Sequence, residues 1–162
     1  MNSISIDSPV DRLAIAEVVA RLAAAQDAGD WAGLRAVVGE RIHLDLSGHL
    51  GVPAVELSAE EFVGNARRVA DGFTVTHHST SNLIVLGLGD DQASCRAHIV
   101  AYHHLIGASD PDDAVCVMRG IWELNLRKSG ADWLIERFTV TRTAPLEGNA
   151  DLFIRNFTGT PH

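Results

Sequence analysis

A chain of 162 residues, 46 % hydrophobic and 21 % charged, has the composition of an ordinary globular domain and buries roughly 70 % of its unfolded surface on folding. Thirteen Lys and Arg against twenty-one Asp and Glu give a formal charge of −8, and no basic cluster exceeds two residues, which argues against nucleic acid or an anionic membrane as partner. Met1 to Asp7 holds neither a basic segment nor an apolar run, and no stretch approaches the ~20 apolar residues that cross a bilayer. The expectation is a cytoplasmic single domain over 1–162, with a core at about 8–145 and a tail at 146–162.

In chain order, Ser8-Pro9 opens a helix, with Ser8 as N-cap, Pro9 in the first turn and Asp11 near the positive end of the dipole. Ile15, Val18, Val19 and Leu22 recur at helical spacing, and the helix runs to about Asp27. Gly29 breaks it, Asp30 caps a second short helix beginning at Trp31, and Gly39 ends that one. Ile42, Leu44 and Leu46 alternate as in a strand, and Ser47 to Pro53 reads as a loop. Ser58-Ala59-Glu60-Glu61 is a capping box for a third helix reaching about Ala70.

After Gly72 the period changes to two. Strands are expected at about 73–88, 92–106, 114–127 and 132–143, joined by short turns and, at Asp110 to Asp113, by an acidic solvated loop. Helices first and an antiparallel meander afterwards make an α+β layout with helices on one sheet face. Ala93, Cys95, Ala97, Ile99 and Ala101 form an inward row that His103 continues. Met118 and Trp122 belong to the inward row of the next strand, whereas Arg119, Glu123 and Arg127 face out. Cys95 and Cys116 lack the spacing of a zinc site or a disulfide framework and read as core thiols.

Asp27 has two readings: it ends its helix on a nearby amide, or it points into the concavity between helix and sheet. Asp30, directly before Trp31, is an N-cap. His78 shares strand parity with Asn82, Ile84 and Leu86, and His77 points the other way. One carboxylate and two imidazoles in an apolar interior are costly unless they pair, and such groups concentrate at functional sites. A carboxylate bonded to one imidazole nitrogen fixes the tautomer and raises the basicity of the other. Histidine titrates from about 6.5, so such a base can contribute roughly 10²–10⁴ in rate. No metal is expected at His77, His78, His103 and His104, because adjacent strand histidines face opposite sides and no His-x-His or Glu-x-x-His spacing among them supports a preformed site. Gly87-Leu88-Gly89 is not a phosphate-cradling loop, and no nucleophile elbow is present.

The helix ending in Asp-x-Gly-Asp-Trp, the His-x-x-x-Asn segment from His78 to Asn82, the strand ending in Tyr102-His103-His104 and the closing Trp133 strand, in that order, resemble SnoaL-like proteins of the nuclear transport factor 2-like superfamily. The resemblance covers roughly residues 8 to 145 and follows the patterns of scytalone dehydratase, lindane dehydrochlorinase and bile-acid dehydratase. It implies a cone of curved antiparallel sheet wrapped by helices, open at one end to a small-molecule pocket. It implies that Asp27 and His78 are the dyad taking a proton from substrate carbon, and that His103 is the second pocket histidine. Gln26 and Leu44-Asp45-Leu46 stand where scytalone dehydratase has tyrosines. Arg127 or Arg142 would supply the cationic group of relatives, and parity puts Arg127 outside.

The expected activity is therefore that of a cofactor-independent lyase or isomerase on a small hydrophobic cyclic substrate of polyketide or steroid kind. Asp27, His78 and His103 carry it, and Leu86, Ile99, Met118 and Trp122 wall the pocket. The alternative is a binding or subunit-association module with the same fold. A homodimer or homotrimer is expected through the outer row Arg96, His98, Val100 and Tyr102.

Overall fold

The computed structural model describes residues 8–108 and 114–158; the acidic loop expected at Asp110 to Asp113 lies outside them. The chain runs α1 (Pro9–Ala28), α2 (Trp31–Ala36), β1 (Val38–Asp45), α3 (Ser47–Leu50), β2 (Val55–Ser58), α4 (Ala59–Ala70), β3 (Val75–Leu88), β4 (Gln92–His104), β5 (Val115–Ser129), β6 (Asp132–Arg142), β7 (Glu147–Gly148) and α5 (Ala150–Thr158). The sheet order is β2-β1-β6-β5-β4-β3, with β7 on β5. All pairings are antiparallel except β1 with β6. The result is α+β: a curved, unclosed sheet with helices on its concave side.

The expected signals place α1. Ser8 Oγ accepts from the amide of Asp11, and Gly29 ends the helix at φ 65°, a left-handed conformation that costs glycine little. Asp11 Oδ1 also accepts from Lys128 Nζ at 2.7 Å and from Trp133 Nε1 at 2.8 Å, so the start of α1 is pinned to the β5–β6 hairpin. Ile15, Val19 and Leu22 are then laid on the sheet, each buried and each contributing about 2 kcal/mol by area removed from water. The far end of α1, carrying Asp27, arrives over β3. The capping box at Ser58 is present in both directions.

On β4 and β5 the alternation reads through: Cys95, Ala97, Ile99, Ala101, His103, Cys116, Met118 and Trp122 face the interior. Arg127 lies outside on Glu136 and Asp91, and Arg142 pairs across β5 with Gly120, at the end of an inward row.

On β3 the parity reading fails. Between Ser81 and Ile84 three steps along β3 match two along β4, and a second irregularity falls between Val85 and Gly87. Asn82 sits at the first one with φ 51°, a conformation that asparagine tolerates better than most residues. From that point the faces swap, so that Leu83 and Val85 pack on the core while Ile84 points out. Leu86, expected on the pocket wall, is the extra residue of the second irregularity and is 58 % exposed.

Four smaller differences concern the connections and the tail. Gly39 belongs to β1 rather than ending α2, which stops at Ala36. Ser47 to Leu50, read as loop, form a single helical turn, and β2 was not expected at all. The tail after 145 folds back as α5 and buries Phe153 in the core.

Candidate active site

Asp27 is the penultimate residue of α1, where that helix meets β3, an edge strand of the sheet. An edge strand leaves every second amide without a ladder partner. Here Asp27 Oδ2 accepts from the backbone amide of His78 at 2.7 Å. The other oxygen, Oδ1, accepts from Thr76 Oγ1 at 3.0 Å and lies 2.6 Å from His78 Nδ1. A carboxylate can only accept, so Nδ1 carries the proton and Nε2 is left as the basic nitrogen of His78. Thr76 and His78 are two apart on the strand and therefore share a face. Exposed His77 approaches the same carboxylate from outside, its Nδ1 3.9 Å from Oδ2.

Burial works to raise the Asp27 pKa, but the ring and backbone hydrogen bonds of His78, its charge and the Thr76 hydroxyl together hold it below the usual carboxylate value. Asp27 is thus an anion held by three hydrogen bonds, one of which fixes the His78 ring. Trp122 flanks that ring at 5.8 Å between centroids, and His103 meets it edge-on at 5.7 Å.

His103 is in a different situation. It is 3 % exposed, set between Phe73 at 4.8 Å and Phe153 at 4.7 Å, and among the described residues its Nδ1 has no hydrogen-bond partner. Burial, reinforced by the nearby charge of His78, pushes its pKa down to about 3. A hydrogen bond to the Cys116 backbone works against that shift; the ring is neutral at physiological pH, with one donor and one acceptor in all.

A cavity of about 420 Å³ opens onto these groups, a volume suited to one small molecule. His78, His103, Ile99, Met118 and Trp122 line it; Leu86 does not. Its far wall holds residues that the sequence did not single out. His49, on the turn of α3, is 4 % exposed with an unpartnered Nδ1, and burial together with the charge of Arg142 pushes its pKa down to about 4. Phe153 and Phe157 of α5 close the cavity between His49 and His103. Arg68 donates to the carbonyls of Asn156 and Phe157 and so holds the negative end of α5 in place.

Thr76 was legible, since it shares the parity of His78. His49 was not, because a histidine in a segment read as loop carries no periodic signal. Among the described residues no group of His, Cys, Asp and Glu is arranged to hold a metal ion.

The comparisons with known proteins agree with this architecture. A family model described as the SnoaL-like domain matches residues 9–139. The chain belongs to the SnoaL-like family. The Kfla4162 protein of Kribbella flavida superposes with TM-score 0.82 at 23 % identity, covering 91 % of the SnoaL-like chain and 99 % of its own. A candidate scytalone dehydratase from Novosphingobium aromaticivorans gives 0.71 at 16 % identity, covering 83 % and 85 %. LinA gives 0.71 at 13 % identity, covering 86 % and 90 %. These identities speak to the fold, which is that of the nuclear transport factor 2-like proteins. No curated protein matches the SnoaL-like chain. None of its described helices is long and apolar enough to cross a membrane.

Proposed function

We propose that this SnoaL-like protein is a cofactor-independent lyase, a dehydratase or an isomerase, acting on a small hydrophobic cyclic substrate. The observation that carries the reading is the 2.6 Å contact between Asp27 Oδ1 and His78 Nδ1 at the wall of an apolar cavity. His78 Nε2 takes a proton from a substrate carbon made acidic by a neighbouring carbonyl, and Asp27 stabilises the imidazolium that forms. In a dehydration the electron pair of the broken C–H bond forms the new double bond, the C–O bond breaks, and the departing hydroxide takes the proton back from His78 and leaves as water. In an isomerisation the proton returns to another carbon. His103, kept neutral by burial, hydrogen-bonds the oxygen on which charge develops and leaves proton transfer to His78. A scytalone dehydratase candidate and a hexachlorocyclohexane dehydrochlorinase share the fold, which supports elimination chemistry as the class.

A second reading is a binding module of the same fold. It is favoured by the structural work that Asp27 does in any case, since its carboxylate satisfies the free edge of β3 at His78. The outer row Arg96, His98, Val100 and Tyr102, next to exposed Val75, Ile84 and Leu86, is the proposed face for a homodimer or homotrimer, and the cytoplasm is the proposed location.

The test is to incubate cell extract with wild-type protein and with Asp27→Asn/His78→Ala and to compare metabolites by mass spectrometry. A product lighter by one water supports dehydration, and an isobaric product with shifted retention supports isomerisation. Metabolites bound and returned unchanged by both proteins favour the binding reading.

A further inference from the structure

The mechanism above uses His78 and His103 and leaves a third buried imidazole of the same cavity unexplained. His49 is reached from His78 by a chain of ring contacts: His78 to His103 at 5.7 Å, His103 to Phe153 at 4.7 Å, and Phe153 to His49 at 5.3 Å. It therefore stands at the end of the cavity away from the dyad, with the edge of Phe157 at 5.7 Å completing its box.

Its placement is well supported. Asp45 Oδ1 accepts from both the amide and the hydroxyl of Ser47, at 2.9 and 2.6 Å, an Asx turn that leads the chain into α3. Gly48 lets that turn lie against β6, where a Cβ would come within 3.0 Å of Thr141 Oγ1. Held this way, the His49 ring lines the cavity with a nitrogen that finds no partner among the described residues. A phenylalanine or leucine would fill the same aromatic box with nothing left unpaired, so packing alone gives no reason for an imidazole.

We infer that His49 is a specificity-determining residue, whose imidazole binds an uncharged hydroxyl or carbonyl oxygen on the part of the substrate remote from the carbon that His78 deprotonates. The inference rests on the proposed function for the position of the reacting carbon. A neutral imidazole suits either oxygen because it has one donor and one acceptor. It carries no charge of its own to offset the burial of a carboxylate, whose cationic support would have to come from Arg142, close enough for its charge to act on the His49 ring. The substrate class is then a neutral cyclic ketone or alcohol with a second oxygen function across the ring system, and a plain hydrocarbon ring leaves His49 unsatisfied.

The probes are α-tetralone, a bicyclic ketone that fits the cavity, its phenolic isomers with the hydroxyl at each position of the aromatic ring, and the corresponding carboxylates. Binding is measured by isothermal titration to wild type, His49→Phe and His49→Gln, with thermal melting to establish that each variant is folded. In wild type at least one phenolic isomer should bind about tenfold more tightly than α-tetralone, and the carboxylates more weakly than either. His49→Phe should lose that preference while still binding α-tetralone, and His49→Gln should restore part of it. A wild type without the preference, or a preference that survives in His49→Phe, overturns the inference. Deuterium uptake beside the ketone carbonyl is followed in the same samples. Uptake that persists in His49→Phe with an unchanged preference sinks the His49 role alone. A preference that depends on His49 without uptake in any sample sinks proton abstraction alone.

Discussion

The two ends of the cavity treat the same side chain in opposite ways. At one end His78 is tied to a carboxylate, its tautomer set by the contact with Asp27 and its backbone amide bonded to the same group. Beside it His103, and at the other end His49, are enclosed by Phe73, Phe153 and Phe157, and their Nδ1 atoms have no partner among the described residues. A paired imidazole can accept and release a proton, because the charge it gains is answered at once. An imidazole boxed in aromatic rings stays neutral and can only hydrogen-bond. On the proposed function, the fold separates proton transfer from substrate recognition within about 420 Å³.

The largest expected effect comes from removing the base. His78→Ala should lower kcat by about 10³–10⁴ and leave substrate binding within a few fold; a comparable loss of binding with kcat kept would place His78 with the recognising residues instead. Asp27→Asn keeps the size and one acceptor but loses the charge, and its amide can turn an N–H toward His78 and reverse the tautomer. It should cost about 10²–10³ in kcat, and folding is checked by melting temperature. His103→Gln retains a donor and an acceptor and should cost roughly tenfold, against about 10² for His103→Phe. Equal effects of the two would mean that His103 only fills space.

The smallest effect separates the ends by pH. His103 and His49 have folded pKa values of about 3 and about 4, below the unfolded value of 6.5, so the unfolded chain binds more protons in that window. Stability should fall as pH drops from about 6.5, by up to ~1.4 kcal/mol per pH unit for each ring, until the folded pKa is reached. For Asp27, whose folded pKa is depressed, the contribution is present above its unfolded value of 3.8 and is lost as pH falls through the lower folded value. Denaturant titrations from pH 7 to 4 should therefore flatten in His103→Gln and keep their slope in Asp27→Asn.

How far the sequence revealed this arrangement differs along the chain. The caps at Ser8, Gly29 and Ser58 and the inward rows of β4 and β5 follow local rules, and those rules operate in the fold. Asp27 and His78 were readable because a helix terminus and a strand parity fix where each side chain points. The reading failed at Leu86, because one extra residue in a strand inverts every later face and asparagine at position 82 does not announce a bulge. His49 and the closing helix α5 depend on tertiary packing, which brings residues 49, 103 and 153 around one space from distant parts of the chain. No period records that.

The central claim is that Asp27 and His78 make a base for a carbon-bound proton. Its most direct test is deuterium uptake by α-tetralone in D₂O beside its carbonyl, followed by NMR with wild type, His78→Ala and His78→Gln at equal occupancy of the cavity. Uptake by wild type that falls by about 10³ in both variants is the predicted result. Uptake by His78→Ala at the wild-type rate, or none by wild type with the ketone bound, would contradict the claim.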